Sequence, residues 1–110
     1  MKTNTAKLVY FCELSRDDII EKMKRNNEYD IFDYSFWKEE EEVYFMPTNI
    51  RRLGCNNAGE VKYKMMIQIC EHGCFIQMDV ISRSSRCAEE GYEWEMNYFM
   101  RKKLGAKRIA

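Results

Sequence analysis

The stretch from Glu60 to Ser82 constrains the fold more than any other part of the chain. Apolar side chains occupy alternate positions, Val61, Tyr63, Met65, Ile67 and Ile69 on one arm and Cys74, Ile76, Met78 and Val80 on the other, with His72-Gly73 between them. A period of two on both sides of a short Gly-containing turn is the signature of a β-hairpin. Read with His72-Gly73 as a two-residue loop, the hairpin sets Glu71 opposite Cys74, Ile69 opposite Ile76, Ile67 opposite Met78 and Met65 opposite Val80. Met65, Ile67, Ile69, Ile76, Met78 and Val80 then share one face and are expected in the core. A slip of one residue would turn that whole set to solvent.

The remaining elements carry more local signals. Lys7 to Glu13 alternates as a strand. Ser15-Arg16-Asp17-Asp18 places a hydroxyl at an N-cap and a carboxylate three residues on, and Leu14 and Ile19 are spaced as a hydrophobic staple. The helix that follows presents Ile19, Ile20 and Met23 to the core and ends near Asn26-Asn27. Asp30 to Lys38, rich in aromatics, reads as a second strand; Glu39 to Glu42 turns the chain; Val43 to Met46 is a third strand before Pro47. Residues 48–59, with Asn49, Gly54, Asn56-Asn57 and Gly59, read as loop.

Near the end the patterns compete. Tyr92 to Tyr98 alternates like a strand, yet Ala88, Tyr92, Met96, Phe99 and Lys103 form a helical row. Arg101-Lys102-Lys103-Leu104 before Gly105 resembles a helix end, with cations at the negative pole of the dipole. Helix is the favoured reading, starting from Ser84 or Ser85. The order β-α-β-β-β-β-α predicts a single α+β domain over residues 1–110: a two-layer sandwich of a five-stranded, mainly antiparallel sheet with two helices on one face.

That order is similar to one half of the TATA-box-binding-protein fold. The hairpin Lys62-Tyr63-Lys64-Met65-Met66-Ile67-Gln68-Ile69-Cys70-Glu71-His72-Gly73-Cys74-Phe75 resembles that of small Bacteroidetes domains of unknown function sharing this fold. Those domains usually follow a signal peptide and carry a Lys-Asp-Gly-like turn; this chain shows neither and uses Glu71-His72-Gly73. The resemblance implies the TATA-box-binding-protein-like architecture and brings no catalytic residues with it.

Charge and cysteine usage narrow the function classes. Eighteen basic and eighteen acidic side chains cancel, which disfavours bulk nucleic acid or an anionic membrane as partner. Neither an h-region nor an apolar run of membrane-spanning length is present, so no membrane contact is expected. Five cysteines without paired spacing fit reduced thiols in a cytoplasm.

No pattern names a reaction. Cys70-Glu71-His72-Gly73-Cys74 invites a zinc reading, but alternation sends the Cys70 and Cys74 side chains to opposite faces. His72, the only histidine, sits in a turn without an orienting partner. The run Glu39 to Glu42 reads as a solvated turn, and Asn49-Ile50-Arg51-Arg52 as a loop that could take an anion. The basic tail, Arg101, Lys102, Lys103, Lys107 and Arg108 near Trp94 and Tyr98, reads as dipole compensation and a soluble end. No cofactor, metal or enzymatic activity is expected. The outer face of the hairpin is the candidate contact surface: Met66, Phe75 and Ile81, joined by Trp37, are more apolar than a solvated face needs. The first expectation is a non-enzymatic module that forms a homodimer or binds a protein partner there. A nucleic-acid binder using the same face, with Phe75 stacking beside Lys62 and Lys64, and a small ligand-binding pocket protein are the alternatives.

Overall fold

The fold was analysed in a computed structural model, which describes residues 4–25, 34–40, 42–47, 61–82 and 92–110. Its elements are β1 (Asn4–Cys12), α1 (Arg16–Lys24), β2 (Tyr34–Glu39), β3 (Glu42–Pro47), β4 (Val61–Cys70), β5 (Gly73–Ser82), α2 (Tyr92–Leu104) and β6 (Lys107–Arg108). The strands form one antiparallel sheet in the order β2-β3-β4-β5-β1-β6. Among the described residues the α+β class and two helices are as expected. The sheet has six strands rather than five, because the tail is not a free soluble end. Lys107 and Arg108 pair with Phe11 and Tyr10, and the Val9 backbone continues the ladder to Ile109 and Ala110 at 2.9 Å.

Local chemistry explains the helix ends. Ser15 has an extended backbone, and its hydroxyl accepts from the Asp18 N–H at 3.2 Å, the expected cap. Ile19 and Met23 are buried and Ile20 packs against them. At the other end of α1 the Tyr34 hydroxyl donates to the Met23 carbonyl at 2.8 Å, and the Lys103 ammonium donates to the Arg25 carbonyl. α2 ends at Gly105, whose φ of 65° and N–H bond to the Arg101 carbonyl at 2.9 Å make a left-handed cap. This resolves the competing patterns of the C-terminal segment in favour of helix. The start near Ser84 or Ser85 lies outside the described residues, as do residues 26–33 and the loop at 48–60 with Arg51, Arg52 and Cys55.

The hairpin forms with its faces as expected and its register corrected. Glu71-His72, not His72-Gly73, makes the turn, so Cys70 meets Gly73, Ile69 meets Cys74, Ile67 meets Ile76 and Met65 meets Met78. Moving the turn by one residue moves each partner by two, which leaves every side chain on its original face. The cause is β1. A Cβ on Gly73, at φ 152°, would sit 2.3 Å from the Cys12 carbonyl oxygen. Glycine is therefore needed inside the strand, where another backbone passes close by.

The core lies between the helices and one sheet face: Tyr10, Phe45, Tyr63, Met65, Ile76, Met78 and Val80 against Ile19, Met23, Met96, Phe99 and Met100. Two expected core residues depart from this. Ile67 is only partly buried, and Ile69 is 68% exposed although it points to the helix side. Ten residues of β4 span about 33 Å, whereas the nine of α1 span about 14 Å, so the hairpin tip outruns its cover.

The β2–β3 turn stores a small strain. Glu39 pairs with Glu42, and Glu40 adopts φ 53°, a left-handed conformation that disfavours a Cβ. Glu40→Gly is expected to raise stability by about 0.5–1 kcal/mol in chemical denaturation. A loss of stability would mean that the Glu40 side chain, not its backbone, matters to the turn.

Candidate functional site

The two described helices cover the same face, and among the described residues no element covers the other face of the sheet, the open face. Alternation places Ser35, Trp37 and Glu39 of β2, Glu42, Tyr44 and Met46 of β3, and Lys62, Lys64, Met66 and Gln68 of β4 on that open face. Phe75, Gln77, Asp79 and Ile81 of β5 and Lys7, Val9 and Phe11 of β1 complete it. Register lines up Trp37, Tyr44, Lys64, Asp79 and Lys7 as one row across five strands.

The four residues expected to form a contact patch do lie on this face, but not as one cluster. Trp37 stands on the β2 edge and stacks on Tyr44, centroids 5.6 Å apart and planes 13° from parallel. Its indole N–H donates to Glu39 at 3.1 Å. Phe75, 38% exposed, packs edge-on against Phe11 at 5.4 Å. Met66, opposite Gln77, is a diagonal neighbour of Phe75, which faces Gln68. Ile81 lies four residues along β5 from Gln77, opposite Lys62 and Thr5, about 13 Å away. Two apolar spots thus flank a polar belt. Tyr44 and Phe11 were missed as members. The alternation that put Val43 and Phe45 inward already turned Tyr44 outward, and Phe11 likewise follows from Tyr10.

The belt is electrostatically tied together. Lys64 Nζ pairs with Glu42 Oε1 at 2.6 Å, and the Tyr44 hydroxyl donates to the other Glu42 oxygen. Lys62 Nζ lies 4.8 Å over the Tyr44 ring, and Gln77 donates to Asp79 at 2.9 Å. Trp37 and Lys62 together leave Tyr44 almost fully buried on an otherwise open face. Lys62 and Lys64, which the nucleic-acid alternative sets beside Phe75, are therefore engaged within the sheet.

The hydrogen bond from Lys64, then that from Tyr44, holds the Glu42 carboxyl below the usual carboxylate range. The hydrogen bond with Glu42 in turn raises Lys64 and Tyr44. Glu42 contributes fully above its unfolded pKa, roughly 4.3, and loses that contribution as pH falls through its folded value. Lys64 and Tyr44 contribute fully below their unfolded values, roughly 10, and lose it as pH rises through their folded ones. The cluster thus supports the fold from mildly acidic to mildly alkaline pH. In Lys64→Met, the Glu42 titration midpoint followed by carboxyl NMR is expected to move up towards the ordinary value. An unchanged midpoint would contradict the pairing.

The other candidate chemistry is dispersed. Cys74 is buried and Cys70 half-buried with its thiol on the Gly73 carbonyl at 3.3 Å. Burial pushes the Cys74 and Cys12 thiols up, the opposite of nucleophile activation. Cys12, Cys70 and Cys74 are free thiols; Cys55 and Cys87 lie outside the described residues. Among the described residues no group of three His, Cys, Asp or Glu converges as a metal site. His72 and Glu71 are both strongly exposed, 4.0 Å apart, at the tip of the hairpin. The Glu39 to Glu42 run splays apart: Glu39 turns to Trp37 and Glu42 to Lys64. Lys103, read as part of a basic tail, is buried on the Arg25 carbonyl, 5.6 Å from the Tyr34 ring centroid. Among the described residues no helix is long and apolar enough to cross a membrane. No family model, curated protein or solved structure matches the chain.

Proposed function

We propose that this chain is a non-catalytic interaction module that pairs with a second copy of itself through the open sheet face. The observation carrying this reading is the exposed Phe75 packed on the half-buried Phe11, with Met66 as diagonal neighbour, on a face that neither described helix covers. An aromatic spot on the uncovered side of an antiparallel sheet favours a partner. A second copy suits the electrostatics. The chain is neutral and its face carries both signs, Lys7, Lys62 and Lys64 beside Glu42 and Asp79, so two copies do not repel. The TATA-box-binding-protein-like resemblance belongs to this proposal, with β6 as an added edge strand, and so does a reducing, cytoplasmic setting for the thiols.

Phe75→Glu tests it, because a carboxylate in a desolvated contact disfavours association. Light scattering is expected to show a folded monomer for Phe75→Glu and an unchanged dimer for Ile69→Glu. Ile69 is the more exposed of the two but lies on the helix side. Dissociation by Ile69→Glu instead would move the interface to the hairpin tip. Salt-sensitive binding of nucleic acid that weakens when Lys62 and Lys64 are changed would favour the nucleic-acid reading over self-association.

A further inference from the structure

Cys12 of β1 and Cys74 of β5 stand directly opposite one another, both on the helix side of the sheet and each 1% exposed. Both are free thiols. The backbone sets the distance between them. The Val9 N–H and carbonyl both bond towards β6, to Ala110 and Ile109. Backbone groups alternate in direction along an antiparallel strand, so Tyr10 and Cys12 turn theirs towards β5. Cys12 and Cys74 are therefore a hydrogen-bonded pair, whose Cβ atoms stand at the wide end of the cross-strand range, roughly 5.5 Å apart. A disulfide draws its two Cβ atoms to roughly 3.5–4.5 Å. Two sulfur–metal bonds in line, at roughly 2.3 Å each, span roughly 4.6 Å. The spacing thus suits a bridging ion better than a direct sulfur–sulfur bond.

The surroundings supply a route in and narrow the choice of ion. The Cys12 thiol donates to the Leu104 carbonyl at 3.2 Å, whereas the Cys74 thiol has no hydrogen-bond partner among the described residues. Cys74 borders a cavity of about 560 Å³ between the hairpin tip and the start of α1, lined also by Leu14, Arg16, Ile69 and Cys70. An ion can therefore approach one member of the pair from outside the core. Burial holds the protons on both thiols, while Arg16 near Cys74 and Lys22 near Cys12 act in the opposite direction. Only a cation with a strong preference for sulfur displaces protons held in this way. Zinc takes four ligands and the pair supplies two.

We propose that Cys12 and Cys74 bind one cuprous ion between them as a two-coordinate dithiolate. The exchange breaks two S–H bonds, forms two Cu–S bonds and releases two protons to solvent, with no electron transferred. The complex carries a single negative charge, which Arg16 and Lys22 offset. The Leu104 carbonyl gives up one weak thiol donor in return for two metal–sulfur bonds. The pair lies on the helix side of the sheet, so its failure as a metal site would leave self-association through the open face untouched.

Anaerobic titration with cuprous ion against the competing chelator bicinchoninate tests the assignment. The probe is the full chain carrying Cys55→Ser, Cys70→Ser and Cys87→Ser, which keeps only the two facing thiols and leaves the core intact. It is expected to bind one cuprous ion per chain, to keep its far-ultraviolet circular dichroism, and to show two sulfur neighbours by X-ray absorption. Adding Cys74→Ala is expected to weaken binding at least about a hundredfold, since losing even an outer-shell partner costs about 10–100-fold. No copper retained by the triple variant, equal binding after Cys74→Ala, or nitrogen or oxygen neighbours at the metal would each overturn the proposal. So would loss of the native circular dichroism on copper addition, which would place the binding in an unfolded chain. Rapid closure of a Cys12–Cys74 disulfide by oxidised glutathione would also overturn it, because the thiols would then stand closer than a bridging ion requires.

Discussion

Phe45→Ala is expected to cost about 3–5 kcal/mol of stability, the largest loss from any single truncation in this core. Phe45 is fully buried and sits where the aromatic side chains of four elements meet. Its ring stacks on Tyr63 at 4.7 Å, meets Tyr34 edge-on at 5.3 Å and lies 5.7 Å from Phe99 of α2. Tyr34 in turn holds the C-terminal carbonyl of α1 and packs on Phe99. Truncation removes apolar burial and opens a space that three fixed rings cannot easily close. Chemical denaturation of the variant measures the loss. A cost below about 1 kcal/mol would mean that the aromatic cluster is not the centre of the core.

Gly73→Ala is expected to cost about 3 kcal/mol or more. The added methyl would meet the Cys12 carbonyl oxygen at 2.3 Å and Glu13 Cα at 3.1 Å, both backbone atoms that cannot swing aside. The φ of 152° adds strain of its own. This variant also discriminates between hairpin registers. With His72-Gly73 as the turn, Gly73 would face solvent and the same change would cost only about 1 kcal/mol. A small loss would thus restore the register read from alternation alone.

These two sites mark what the sequence made legible. The faces of β4 and β5 follow from a period of two and survive any even shift in pairing, so Met65, Ile76, Met78 and Val80 were placed in the core from pattern alone. The register was misread because the pattern cannot distinguish shifts of two. Its determinant, the approach of the Cys12 carbonyl, comes from a strand some sixty residues away along the chain. Ser15 was legible because a cap is a three-residue affair. Strand β6 was not, since Lys107-Arg108 carries no apolar alternation and is defined by its backbone bonds to β1. Lys103 fell within the helical row that includes Met96 and Phe99, which pointed to the core, but its charge suggested solvent. The carbonyl at the end of α1 reconciles the two.

The open face was legible in membership and not in grouping. Alternation assigns Met66, Phe75 and Ile81 to it, but only the register across neighbouring strands shows Trp37 spent on Tyr44, Ile81 set apart, and Phe75 joined by Phe11. The proposed contact surface therefore centres on Phe11, Phe75 and Met66, with Trp37 and Ile81 set apart from it.

The most direct test of self-association through that face is the molar mass of the wild-type chain, measured by light scattering over a range of concentrations at neutral pH. The expected value at high concentration is twice the chain mass of 13.3 kDa, falling towards one chain mass on dilution and on Phe75→Glu substitution. A mass of one chain at every concentration would contradict the account.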